Sequence, residues 1–156
     1  MATLRTGAPA PDFTLADQNG RAVTLADFRG SKLLLYFYPR ADTSGCTTQA
    51  CALRDALGEL AASGVKVAGI SPDVQESLLK FDRKYNLAFP LLADPDHMVA
   101  TAYGVWGEKT MYGRKVMGIV RSAFLIDEEG TVALAWYRVN PDDTVPRIKA
   151  ALRGAT

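Results

Sequence analysis

The run from Lys32 to Cys51, KLLLYFYPRADTSGCTTQAC, decides how the chain is read. KLLLYFY (32–38) is a short continuous apolar run, as expected of a strand covered on both faces. Asp42, Thr43, Ser44 and Gly45 are good helix-entry residues. From Cys46 onward, Ala50, Leu53, Leu57, Leu60 and Ala61 recur with a helical period. The stretch therefore predicts a strand, a loop and a helix, with both cysteines of the chain, Cys46 and Cys51, in the first turns of that helix. Open α/β sheets place their chemistry at such junctions.

Outward from this core, the pattern repeats. Upstream, FTLADQNGRAVTL (13–25) holds two β-prone runs around Asn19-Gly20, a hairpin signal. Downstream, Ser63-Gly64 ends the helix and VKVAGIS (65–71) is a strand. Ser71 and Pro72 predict a helix start, with Val74, Leu78, Phe81 and Tyr85 as the buried stripe. FPLLAD (89–94) is strand-like, and Asp94-Pro95 opens a third helix carrying Met98, Val99, Ala102 and Tyr103. VMGIVRSAFLID (116–127) and VALAWYRV (132–139) are predicted as two strands joined by the turn DEEG (127–130). Val145, Ile148, Ala151 and Leu152 predict a closing helix. The expected class is α/β: an N-terminal hairpin, then a mixed sheet with helices on both faces, in a single domain spanning 1–156.

Composition excludes several functions. With 48% apolar and 22% charged residues and a net charge of +1, the chain has ordinary globular values. The basic residues are scattered, so neither a nucleic-acid face nor a polybasic membrane patch is expected. MATLRTGAPAPDF has no apolar core of signal-peptide length, and no run approaches the ~20 residues of a membrane span. A cytoplasmic protein is expected, and in a reducing compartment two cysteines are more often catalytic or metal-binding than a permanent bridge.

Cys46 in a first helical turn would meet unpaired backbone N–H groups and the positive end of the helix dipole, both of which favour a thiolate. Residues five apart on an α-helix have Cα atoms ~8.6 Å apart, beyond the ~7 Å reach of a disulfide. Pairing of Cys46 with Cys51 therefore requires the first turns to unwind. On the helical wheel Cys46 faces inward with Ala50, Leu53 and Leu57, whereas Cys51 lies nearer Asp55 and Gly58 on the outer side. Zinc usually takes four protein ligands, or three and a water, and two cysteines with the single histidine, His97, make no such set. His97 reads as an exposed residue on the third helix, with no function assigned. Arg121 interrupts an apolar strand. Either it faces out or pairs with a carboxylate, or it ends at a pocket and partners an anion; the residues alone leave both open.

Pro39, Thr43 and Cys46 fit the Pro-x-x-x-Thr-x-x-Cys signature of peroxiredoxins. YFYPRADTSGCTTQAC resembles in particular the bacterioferritin-comigratory, or Q-type, subfamily, which often places a resolving cysteine five positions after the peroxidatic one, where Cys51 stands. GAPAPDFTL, FPLLADPD, AYGVWGEK and GIVRSAFLID extend the similarity nearly end to end. The resemblance implies a thioredoxin-like fold and a thiol peroxidase acting on hydrogen peroxide and organic hydroperoxides, with no metal or organic cofactor. It implies that Cys46 attacks the peroxide and becomes a sulfenic acid. Thr43 would hydrogen-bond thiolate and peroxide, Arg121 would favour the thiolate and align the oxygens, and Pro39 would shield the pocket. Cys51 would then form an intramolecular disulfide, which thioredoxin or a similar dithiol protein would reduce. An intramolecular resolver needs no second subunit, so a monomer is expected. Ala123 stands where many relatives carry Thr or Ser, and Arg40 and Ala41 replace the more usual Lys and Asp.

Two other functions compete. A disulfide oxidoreductase on the same fold would normally carry Cys-x-x-Cys, which is absent. A redox-sensing or chaperone-like binding protein could use the same thiols to switch a partner.

Overall fold

A computed structural model of the chain describes residues 3–153. Its strands are β1 (Thr14–Ala16), β2 (Ala22–Thr24), β3 (Lys32–Phe37), β4 (Val65–Ser71), β5 (Leu91–Ala93), β6 (Trp106–Met111), β7 (Arg114–Ile119), β8 (Ser122–Ile126) and β9 (Val132–Trp136). The helices are α1 (Ser44–Ala62), α2 (Gln75–Tyr85), α3 (Met98–Ala102) and α4 (Thr144–Leu152), with a 3₁₀ turn at Leu25–Phe28.

One seven-stranded sheet runs in the order β2-β1-β5-β4-β3-β8-β9. The centre is parallel, β3 on β4 and β4 on β5, and the flanks are antiparallel. The parallel pairs follow from the helical crossovers α1 and α2, and the β8–β9 pair from the tight turn at 127–130.

The apolar run in β3 is covered on both faces, as its composition predicts. Leu34, Tyr36 and Tyr38 pack in one core with Cys46, Ala50, Leu53 and Leu60 of α1, Leu78 and Phe81 of α2, and Ile148 of α4. Leu33, Leu35 and Phe37 point to a second core with Phe13, Phe28, Ala100 and Tyr103. Helices thus lie on both faces, three on one side and the short α3 with the 3₁₀ turn on the other. Where β3 meets β4, Tyr36 leans over Gly69. A Cβ at Gly69 would lie 2.9 Å from the Tyr36 ring, so that position has room only for hydrogen.

Four expectations are corrected. The run 116–127 is not one strand: β7 ends at Ile119, Val120 and Arg121 lie outside any strand, and β8 restarts at Ser122 in the main sheet. β7 pairs instead with β6 in a separate hairpin that the sequence reading missed. Most of β7 is exposed and the turn residues Tyr112 and Gly113 both have positive φ, so neither apolar alternation nor a usual Asn-Gly pair announces it. The second helix starts at Gln75, not at Pro72. Ser71 ends β4 and donates its hydroxyl to the Asp73 carboxylate at 2.8 Å, and Val74 is extended and 55% exposed rather than buried. On α1 the inward stripe is Cys46, Gln49, Ala50, Leu53, Ala56 and Leu60, with Leu57 only half-buried and Ala61 exposed. Finally, His97 precedes α3 with a left-handed backbone and stacks on Trp106, ring centroids 3.7 Å apart, rather than standing exposed. Asp94 and Pro95 lie before α3, which starts at Met98, but the Asp94 carboxylate does accept from the helix amides of Val99 and Ala100.

Candidate active site

β3 delivers the chain to Pro39, and residues 39–43 carry it across to the start of α1. This loop is pinned from outside. The Ala41 amide donates to Asp73 at 2.7 Å. Asp42, with a left-handed backbone, accepts from Lys84 Nζ at 2.9 Å and from the Tyr85 hydroxyl at 3.0 Å. Those two donors hold the Asp42 carboxyl below its usual range. Thr43 occupies the helix N-cap, and its own carbonyl accepts the first helical bond from the Thr47 amide at 2.8 Å. The amides of Ser44, Gly45 and Cys46 precede that bond and have no intrahelical acceptor.

Cys46 is the third residue of α1 and is 1% exposed. Arg121 reaches it from the break between β7 and β8. Its Nη2 donates to Cys46 Sγ at 3.4 Å and its Nη1 to Gln49 Oε1 at 2.7 Å. Gln49, fully buried one turn beyond Cys46, donates its Nε2 to Thr144 Oγ1 at 2.9 Å, and that hydroxyl donates to the Asn140 carbonyl at 3.4 Å. The thiol is thus linked through a guanidinium and an amide to the start of α4. Gly45 makes the approach possible: a Cβ there would sit 3.2 Å from both Arg121 Nη2 and Pro141 Cγ.

Of the two options left open for Arg121, the structure places its guanidinium at the thiol; among the described residues it has no carboxylate partner. Thr43 lies beside the site, but its hydroxyl donates to the Arg40 carbonyl at 2.8 Å rather than to sulfur, which leaves its oxygen free to accept. Pro39 is half-buried and, with Arg40, Thr43, Trp106 and Met117, lines a groove of about 590 Å³. Cys51 is half-buried against the same core as Cys46; α1 is unbroken between them and both thiols are free.

The sequence reading missed Gln49 and Thr144. Gln49 carries a signal, a polar residue on the apolar face of α1, but nothing in its neighbourhood names its partners. Tyr36 and Tyr38 stack at 5.3 Å in the core that also holds Cys46, and among the described residues the Tyr36 hydroxyl has no hydrogen-bond partner. Burial pushes both phenols well above the usual tyrosine range, so they are neutral.

A buried cysteine at a helix start, faced by an arginine and opening beside a groove, defines a thiol-based redox enzyme of the α/β class. The chain belongs to the AhpC/TSA family, which it matches over residues 6–135. Peroxiredoxin Bcp of Escherichia coli is 51% identical to it over 132 residues, 85% of each chain. Among solved structures, the Xanthomonas campestris bacterioferritin comigratory protein is similar with a TM-score of 0.88 at 37% identity, covering 99% of this chain and 98% of the other. Peroxidoxin BcpB of Mycobacterium tuberculosis is similar with a TM-score of 0.86 at 32% identity, covering 98% and 99%. The fold is thioredoxin-like, and the protein is a thiol-dependent peroxidase of the bacterioferritin-comigratory, Q-type peroxiredoxins. Its substrate is a peroxide and its reductant a thiol. No helix among the described residues is long and apolar enough to cross a membrane.

Proposed function

We propose that Cys46 is the peroxidatic thiol and Cys51 its resolving partner. The observation that carries this reading is the Arg121 guanidinium 3.4 Å from Cys46 Sγ at the start of α1. The Cys46 thiolate attacks one oxygen of the hydroperoxide, the O–O bond breaks, and the leaving oxygen takes a proton to become water or an alcohol. Sulfur gains the S–O bond of a sulfenic acid. Arg121 and the free amides of the first helical turn stabilise the charge that develops on the leaving oxygen. The Thr43 oxygen accepts from the hydroperoxide O–H, its own hydrogen being held by Arg40. Pro39 keeps water from the sulfur.

The first turns of α1 then open. The Cys51 thiol condenses with the sulfenic acid: the S–S bond forms, the S–O bond breaks and water leaves. A dithiol protein of the thioredoxin kind reduces the bridge by thiol exchange. Resolution within one chain is compatible with a monomer, and two free thiols suit the cytoplasm. The groove beside Pro39 and Thr43 supports organic hydroperoxides as substrates besides hydrogen peroxide, as does the alkyl peroxide reduction described for the Xanthomonas campestris relative.

The test is peroxide consumption coupled to a thioredoxin system. Cys46→Ser abolishes turnover, and Arg121→Gln lowers the rate of peroxide reaction on the order of 100-fold or more, the usual loss for a charge-stabilising donor. Disulfide exchange without peroxide consumption by the unsubstituted protein would replace this reading with that of a disulfide oxidoreductase.

A further inference from the structure

Behind Arg121 lies a second cavity, of about 270 Å³, whose wall includes Lys109, Arg121, Arg138 and Asn140. We propose that it binds a small anion, a carboxylate or an inorganic oxyanion, and that Arg121, which touches both, couples this site to the thiol.

Three cations converge on this cavity and its wall contains no acidic side chain. Among the described residues, none of the three has a carboxylate within ion-pair distance. Lys109 Nζ donates to the Ile119 carbonyl at 2.9 Å, and Arg121 to the thiol and to Gln49. Asn140 on the wall donates its Nδ2 to Asp143, which is not among the lining residues, at 3.1 Å. Burial and then the Arg121 cation hold the Lys109 amine below its usual range, as expected where positive charge is gathered without compensation.

The backbone gathers these cations at a local cost. Arg138 has a left-handed φ of 62°, uncommon for a residue other than glycine, and the next amide, that of Val139, donates to the Arg121 carbonyl at 2.9 Å. On the other wall, a Cβ at Gly118 would stand 3.0 Å from Lys109 Cδ, so glycine makes room for the lysine stem. The volume is slightly below the roughly 300–1,000 Å³ of drug-sized sites. At about 30 Å³ per water it holds a small anion with part of its hydration. Arg138 and Asn140 are exposed, which gives the anion a path in. Because Arg121 serves both sites, anion binding and thiol oxidation are linked, and the linkage is reciprocal.

One anion chemistry has two sources here, a free anion or the carboxylate of a hydroperoxide substrate. In the first arm, inorganic phosphate is titrated calorimetrically into the reduced protein at constant ionic strength against chloride. Saturable binding is expected, weakened about tenfold or more by Arg138→Gln and by Lys109→Gln, and unchanged by Lys66→Gln, an exposed lysine on β4. In the second arm, kcat/KM is compared for a carboxylate-bearing hydroperoxide and its methyl ester. A preference for the acid that Arg138→Gln removes identifies the substrate as the source, whether or not phosphate binds; phosphate binding with no such preference identifies a free anion. Equal losses in Lys66→Gln, or neither saturable binding nor acid preference, overturn the proposal. The calorimetric arm needs no turnover, so it fails or succeeds independently of the peroxidase reading.

Discussion

In the proposed mechanism Arg121 acts only while it stays against the sulfur, and Gln49 is the side chain hydrogen-bonded to it there. The Gln49 amide is fully buried and spans Arg121 and Thr144, so Gln49→Leu removes the acceptor of a guanidinium nitrogen and the donor to a buried hydroxyl, which keeps only its 3.4 Å bond to the Asn140 carbonyl. We expect a loss of about 1–3 kcal/mol in chemical denaturation. We also expect slower peroxide oxidation of Cys46, with restoration by Gln49→Glu but not by Gln49→Leu. Lower stability with an unchanged oxidation rate would make Gln49 merely structural. Cys46, Cys51, Thr43, Arg121 and Pro39 could be proposed from the sequence because one contiguous signature and one anomalous charge carry them. Gln49 could not, because its hydroxyl partner stands 95 positions away and only the fold brings α4 to α1.

At the level of elements, the proposed resolution by Cys51 requires the start of α1 to be firm enough to present Cys46 and weak enough to open. Much of what holds it lies outside the helix, in the ties from Asp42 to Lys84 and Tyr85. The folded Asp42 carboxyl is held below its unfolded value of about 3.9. Its stabilising contribution is therefore complete above that value and disappears as pH falls through the lowered one. At neutral pH the tie is fully made, and Asp42→Asn, which tolerates the left-handed backbone, removes the charge and one of the two oxygens that accept from Lys84 Nζ. Hydrogen exchange at the first amides of α1 should quicken in Asp42→Asn, and the disulfide should close faster after peroxide addition. Unchanged exchange and closure would show that Asp42 does not restrain the helix. The α1 helix itself was plain from its apolar period. The start of α2 was misplaced because Ser71 and Pro72 look like a helix entry, whereas Asp73 is engaged by Ser71 and Ala41 in holding the loop before Cys46. The β6–β7 hairpin escaped because an exposed ribbon buries no face and leaves no alternation to read.

Across the whole molecule, the sheet separates two cores and fixes the depth at which the thiol sits. The α/β order, the N-terminal hairpin and helices on both faces were all readable from period and turn chemistry; the strand order was not, since it depends on long-range pairing. The junction of β3 and β4 is tight, with Tyr36, in the same core as Cys46, lying over Gly69. Gly69→Ala should cost about 1–3 kcal/mol by overpacking, which lowers Tm by roughly 2–4 °C for each kcal/mol in a chain of this size. An unchanged Tm would mean that the Tyr36 ring can move aside.

The division of labour between the two thiols is tested most directly by intact-mass analysis of reduced Cys51→Ser treated with one equivalent of hydrogen peroxide. The account predicts that this variant gains one oxygen at Cys46 and is not recycled by thioredoxin, while the unsubstituted chain loses two hydrogens as the Cys46–Cys51 disulfide forms. A Cys51→Ser protein that turns over normally with thioredoxin, or an oxygen found elsewhere than on Cys46, would contradict it.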